Sequence, residues 1–156
     1  MSKKGAYYGI FAALAVLMGY VEFVLPSPVP IQGVKLGLAN VIVVIAMYFM
    51  GEKSALAISV VRVIMSSLLF GGFSGFLYSI AGALVSFGAM CIVKKIKAVS
   101  IIGVSIVGGI FHNIAQITVA ALVLNTKGVF YYLPVLLISG VITGIIIGLI
   151  SKYCLA

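Results

Sequence analysis

The sequence predicts an all-α integral membrane protein, a bundle of six transmembrane helices with both termini on the cytoplasmic side. Three observations carry this expectation. Hydrophobic residues make up 64% of the chain and charged residues only 8%, where a soluble domain is about a quarter charged. The mean hydropathy is correspondingly high, at +1.37. The apolar residues fall into runs that can cross a hydrocarbon core, which takes roughly 17 to 25 residues in helical form. The basic residues stand in short groups between those runs, as membrane topology signals do. With 156 residues, a single membrane domain over 1–156 is expected, with no room for a soluble catalytic domain beside it.

The first helix is expected at 5–25. Lys3 and Lys4 precede it as in a signal peptide. The run is longer than a usual signal core and ends without a small-residue cleavage site, so a retained helix is the better reading. Pro26, Pro28 and Pro30 stop it and make a stiff extended loop. Helix two is expected at 34–50, and Gly51-Glu52-Lys53 is a tight polar turn. Helix three is expected at 54–70, followed by the turn Gly71-Gly72-Phe73-Ser74-Gly75 and helix four at 73–93. The basic loop Lys94-Lys95-Ile96-Lys97 leads to helix five at 99–124. Asn125 to Gly128 forms a turn before helix six at 129–151.

Six spans with the N-terminus inside put Lys3, Lys4, Lys53, Lys94, Lys95, Lys97 and Lys152 on the cytoplasmic side and only Lys35 and Lys127 outside. That is the positive-inside bias of a cell-membrane protein. Cys91 and Cys154 have no metal-ligand spacing and fall at cytoplasmic helix ends, so they read as small buried residues rather than a disulfide.

Small residues recur every fourth position at Gly5, Gly9 and Ala13, with Ala12 beside them, and again at Gly140, Gly144 and Gly148. Such stripes let helices approach closely. Two readings are open: packing within the chain, or a docking face for another membrane subunit.

Ionisable groups are costly inside a bilayer and face a cavity or a partner. Glu22 lies near the outer end of helix one, Lys35 opens helix two, and Asn40 lies more than a turn deeper. Arg62, the sole arginine, is mid-span in helix three. His112, Asn113 and Gln116 share one broad face of helix five, which Ser105 and Gly109 continue. These seven residues, Glu22 through Gln116, are the candidate substrate-binding set. They suggest a polar pocket open to the outside and capped by the proline-rich loop. The competing reading is internal stapling, with Arg62 paired to Glu22 or helix-end carbonyls and the amides bonded across helices.

No catalytic residues, cofactor or metal site are expected. There is no phosphate-binding G-x-x-x-x-G-K-[ST] loop. Aspartate is absent altogether, which excludes a prenyl-transfer site built on paired aspartates. No serine has a visible base partner. The basic residues are not clustered for nucleic acid, so the expected partners are the lipid bilayer and a small molecule.

The stretch Lys35-Leu36-Gly37-Leu38-Ala39-Asn40, the arginine of helix three and Gly108-Gly109-Ile110-Phe111-His112-Asn113 together resemble a known membrane family. It is called heptaprenyl diphosphate synthase component I, or the Gx transporter family, and the resemblance covers nearly the whole chain. That family is similar in architecture to the substrate-binding S components of energy-coupling factor (ECF) transporters. The resemblance implies a six-helix, non-enzymatic subunit that binds a small molecule in an outward pocket. It also implies docking on a transmembrane coupling subunit, with its ATPases, through small residues of helix one, here Gly5, Gly9, Ala12 and Ala13. Lys35 and Arg62 favour an anionic group on the ligand, and apolar walls a hydrophobic or ring-containing body. The alternative is a non-catalytic membrane partner in isoprenoid or quinone synthesis that holds a polyprenyl diphosphate, with Lys94, Lys95 and Lys97 as its candidates.

Overall fold

A computed structural model describes residues 3–26, 35 and 37–156, with Lys3 and Lys4 as backbone only. Among the described residues all regular structure is helical. The helices are α1 (Lys3–Val24), α2 (Asn40–Phe49), α3 (Glu52–Ser66), α4 (Gly72–Lys94), α5 (Ile101–Val123) and α6 (Leu133–Leu155). A π-helical turn, Ser67–Gly71, joins α3 to α4, and a 3-10 turn, Lys127–Tyr132, precedes α6. Four helical stretches are long and apolar enough to cross a membrane: Gly5–Val24, Glu52–Lys94, Ile101–Val123 and Lys127–Leu155. Large apolar side chains cover the outside of the bundle, among them Leu17, Leu68, Phe73, Leu122 and Ile138. In lipid such a surface costs nothing, and the helices satisfy their own backbone groups.

The stretch Glu52–Lys94 would be about 63 Å long as one straight helix. Instead its two ends meet, with Lys94 Nζ 3.8 Å from Glu52 Oε1. The chain reverses at Gly72, whose φ of +62° is a left-handed value that favours glycine. So α3 and α4 form a helical hairpin. Lys94 also donates to the Met47 carbonyl at 3.1 Å and stands 4.9 Å from the Tyr48 ring centre. At the same end, the Tyr8 hydroxyl lies 2.6 Å from Ser54 Oγ. The starts of α1 and α3 and the ends of α2 and α4 therefore share one end of the bundle.

Helix two is shorter than expected. It begins at Asn40 and has ten residues, about 15 Å, or half a hydrocarbon core. The reason lies in Lys35, Gly37 and Leu38, whose N–H groups bond to side chains of α1 and α5 instead of continuing a helix inward. What remains of α2 is almost wholly enclosed, with Val43, Val44, Ala46 and Met47 at the centre of the main apolar core.

Helices α5 and α6 pack antiparallel with backbones nearly touching. A Cβ at Gly144 would stand 2.5 Å from Ile106 Cα, and one at Gly148 2.5 Å from Ile102 Cα. The glycine stripe of α6 is thus internal packing. α6 also runs past the start of α5, so Lys152, Tyr153 and Cys154 project beyond it. Cys154 is exposed, contrary to the expectation of burial, and Cys91 is half-buried; both are free thiols. α5 ends on Asn125 in the left-handed region (φ +47°), with the Thr126 N–H reaching back to Ala121 O at 3.1 Å.

Candidate functional site

Near the end of the bundle opposite Glu52, α1 brings Glu22 into the interior, where it is 6% exposed. Its Oε1 accepts from the N–H of Gly37, and from that of Leu38 at 3.2 Å. Consecutive N–H groups turned onto one oxygen form a small anion-binding concavity. Gly37 makes that turn with a φ of +85° and rests against the His112 ring. The Lys35 N–H donates to Gln116 Oε1 at 3.2 Å, which ties the same segment to α5.

The Lys35 side chain lies 5.9 Å from the centre of the Phe70 ring, itself packed against Tyr20 and Phe23 of α1. The Lys35 charge is near enough to interact with both the Glu22 carboxylate and the Arg62 guanidinium. Glu22, Lys35 and Arg62 therefore form one electrostatic cluster.

Arg62 is 5% exposed on α3. Its Nε and Nη2 have no hydrogen-bond partner. Glu22 is near enough for its charge to act on Arg62, yet the ion pair among the described residues is Lys94–Glu52, at the other end. Among the described residues, no direct ion pair joins Arg62 to Glu22.

On α5, His112, Asn113 and Gln116 are all interior, at 2%, 0% and 0% exposure. Asn113 Nδ2 donates to Leu136 O on α6 at 2.6 Å, so half of this amide is a helix staple. Its Oδ1 is unpartnered, as are Gln116 Nε2 and His112 Nδ1. Unpaired polar atoms in an apolar interior cost about 1–3 kcal/mol each. They are joined in the interior by Nε and Nη2 of Arg62. Asn40 is buried at the first position of α2.

Two parts of the arrangement escaped the sequence reading. Gly82 on α4 backs His112: a Cβ there would stand 2.7 Å from His112 Cε1 and 3.1 Å from Gln116 Cγ. Ser66, below Gly19, adds another unpartnered buried hydroxyl. A glycine between two alanines within helix four was the available signal for Gly82. The proline-rich cap expected over the pocket lies, apart from Pro26, outside the described residues. Apolar grooves elsewhere are lined by other residues, one of about 470 Å³ by Ile64, Leu68, Phe73 and Phe76 beside the π-turn. Among the described residues no group of His, Cys, Asp and Glu could hold a metal ion.

Among the described residues, little packs on the small-residue face of α1. A Cβ at Gly5 or Gly9 would meet nothing within 4 Å. Ala13 is exposed and Ala12 half-buried. The two stripes seen in the sequence therefore differ: that of α6 is filled by α5, that of α1 is open.

The family described as heptaprenyl diphosphate synthase component I matches residues 11–154, and the chain belongs to it. No curated protein and no solved structure matches the chain.

Proposed function

We propose that this member of the heptaprenyl diphosphate synthase component I family is a substrate-binding membrane subunit of an ECF-type transporter, taking up a small anionic molecule from outside. The observation that carries the reading is the buried guanidinium of Arg62, with two unpartnered nitrogens, in a bundle whose interior also holds unpartnered atoms of His112 and Gln116. A permanent charge deep in a membrane bundle needs a counter-charge. Glu22 is committed to the backbone of Gly37 and Leu38, so an anionic ligand supplies it.

In this reading the chain crosses the cell membrane six times with both termini in the cytoplasm. The α3–α4 hairpin, with α1 and α3 starting at one end and α2 and α4 finishing there, supports that path, as does the lysine distribution. The site then lies toward the outer face. The open α1 face with Gly5, Gly9, Ala12 and Ala13 docks the coupling subunit, whose ATPases supply the energy. The role is binding rather than catalysis.

The family's description favours a second reading, a non-catalytic partner of a prenyl synthase holding a polyprenyl diphosphate. Its basic loop is partly engaged already, since Lys94 is bound to Met47 and Glu52.

The test is uptake and binding by Arg62→Ala and Asn113→Ala proteins. Both should insert and remain monodisperse, and both should lose ligand binding by at least about tenfold. Full binding by Arg62→Ala would sink the site assignment. Binding of a polyprenyl diphosphate that depends on Lys95 and Lys97 but not on Arg62 would establish the second reading.

A further inference from the structure

The two unpartnered nitrogens of Arg62 are not an arbitrary pair. Nε–H and the outward N–H of Nη2 lie on one edge of the planar guanidinium and point in parallel. That edge matches the two oxygens of a carboxylate, which it binds through paired hydrogen bonds. Both atoms are buried and unpartnered in a side chain that is only 5% exposed.

The charge balance narrows the class further. The buried cluster holds two cations, Arg62 and Lys35, and one anion, Glu22, leaving one positive charge. Residues 27–34 and 36 contain no ionisable side chain, so they add nothing to that sum. The chain's other acidic residue, Glu52, is beside Lys94 at the opposite end. One negative charge balances the cluster. A phosphate monoester carries about −1.5 to −2 at neutral pH, and a diphosphate carries more. Either would leave excess negative charge in a low-dielectric interior, where it is costly. Gln116, whose Oε1 holds the Lys35 N–H, keeps Nε2 as a further unpartnered donor beside the cluster.

We infer that the ligand is a monocarboxylate, seated with its carboxylate on the Nε/Nη2 edge of Arg62. This rests on the reading of Arg62 as part of a ligand site.

The experiment uses the full chain in lipid nanodiscs, with thermal unfolding followed against three probes: benzoate, phenyl phosphate and benzyl alcohol. Benzoate should raise the unfolding midpoint, and neutral benzyl alcohol should not. Arg62→Lys keeps the charge but loses the two-pronged edge, and should weaken the benzoate response at least about tenfold. Glu22→Gln keeps an acceptor for the Gly37 and Leu38 N–H groups while raising the cluster to two positive charges. It should shift preference from benzoate toward phenyl phosphate, and this arm decides the matter if Arg62→Lys does not insert. A larger, Arg62-dependent response to phenyl phosphate in the native protein would overturn the carboxylate assignment and leave the anion site standing. A benzoate response unchanged in Arg62→Lys would likewise overturn the seat on that edge. If neither anion shifts the native protein, the carboxylate assignment and the Arg62 site fall together.

Discussion

Glu22 binds the backbone of Gly37 and leaves Nε and Nη2 of Arg62 without a hydrogen-bond partner. The chain has one acidic side chain at this end of the bundle, and it is used to shape the segment leading into α2. Glu22→Ala would strand the N–H groups of Gly37 and Leu38 in an apolar interior, at about 1–3 kcal/mol for each unpaired group. The expected outcome is faster amide exchange at residues 37 and 38 and a lower unfolding midpoint. Glu22→Gln, which retains an acceptor oxygen, should keep most of the protection. Equal loss in both variants would show that charge, not hydrogen bonding, holds the segment.

The α3–α4 hairpin can be tested in the native chain. A carbodiimide joins a carboxylate to an amine with no spacer, and Glu52 and Lys94 lie 3.8 Å apart. The expected product is a peptide pair linked through these two residues, found by mass spectrometry. An uninterrupted helix would hold them about 63 Å apart and yield none.

Two glycines of α4 should respond oppositely to alanine. At Gly82 the new methyl would stand 2.7 Å from the His112 ring, whereas at Gly88 it would meet nothing within 4 Å. Gly82→Ala should cost about 1–3 kcal/mol through overpacking and weaken ligand binding by displacing His112. Gly88→Ala should match the native protein or slightly exceed its stability. Thermal unfolding and binding measured on both variants decide it.

The same logic separates the two small-residue stripes. Gly144→Ala drives a methyl into the α5 backbone and should lower stability by about 1–3 kcal/mol. Gly9→Ala should leave the isolated chain intact, since the position faces open space. Ala13→Trp should likewise fold alone but fail to co-purify with a coupling subunit. Full retention of that complex would remove α1 as the docking face.

Orientation is checked by labelling. Single cysteines at Lys4, Lys95 and Lys152, in a chain whose native thiols are replaced, should react only from the cytoplasm. One at Lys127 should react only from outside. Reaction of position 95 with an impermeant reagent added to intact cells would end the six-span topology.

Much of the helical organisation was legible because lipid imposes a simple rule: long apolar runs must be helical. The face formed by His112, Asn113 and Gln116 followed from their spacing, and the turn at Gly71–Gly72 from its composition. The start of α2 was not legible. Lys35 to Ala39 looks as apolar as a helix, and its departure depends on acceptors supplied by Glu22 and Gln116, which are distant in sequence. The fate of Arg62 was equally hidden. Its unpaired edge follows from where the Glu22 carboxylate points, and sequence spacing carries no information on that. Gly82 was missed because its importance comes from a ring on another helix.

On the proposed function, the division of labour around Gly37 constrains how the site can diversify. Glu22 and Gln116 hold main-chain N–H groups inside an apolar bundle, so changing either alters the fold before it alters selectivity. Arg62, His112 and the free oxygen of Asn113 carry no such duty among the described residues. Relatives with new ligands should therefore vary at positions 62 and 112 while keeping acceptors at 22 and 116. The site thus has a fixed floor and an exchangeable wall, and a change of cargo is expected to begin at the wall.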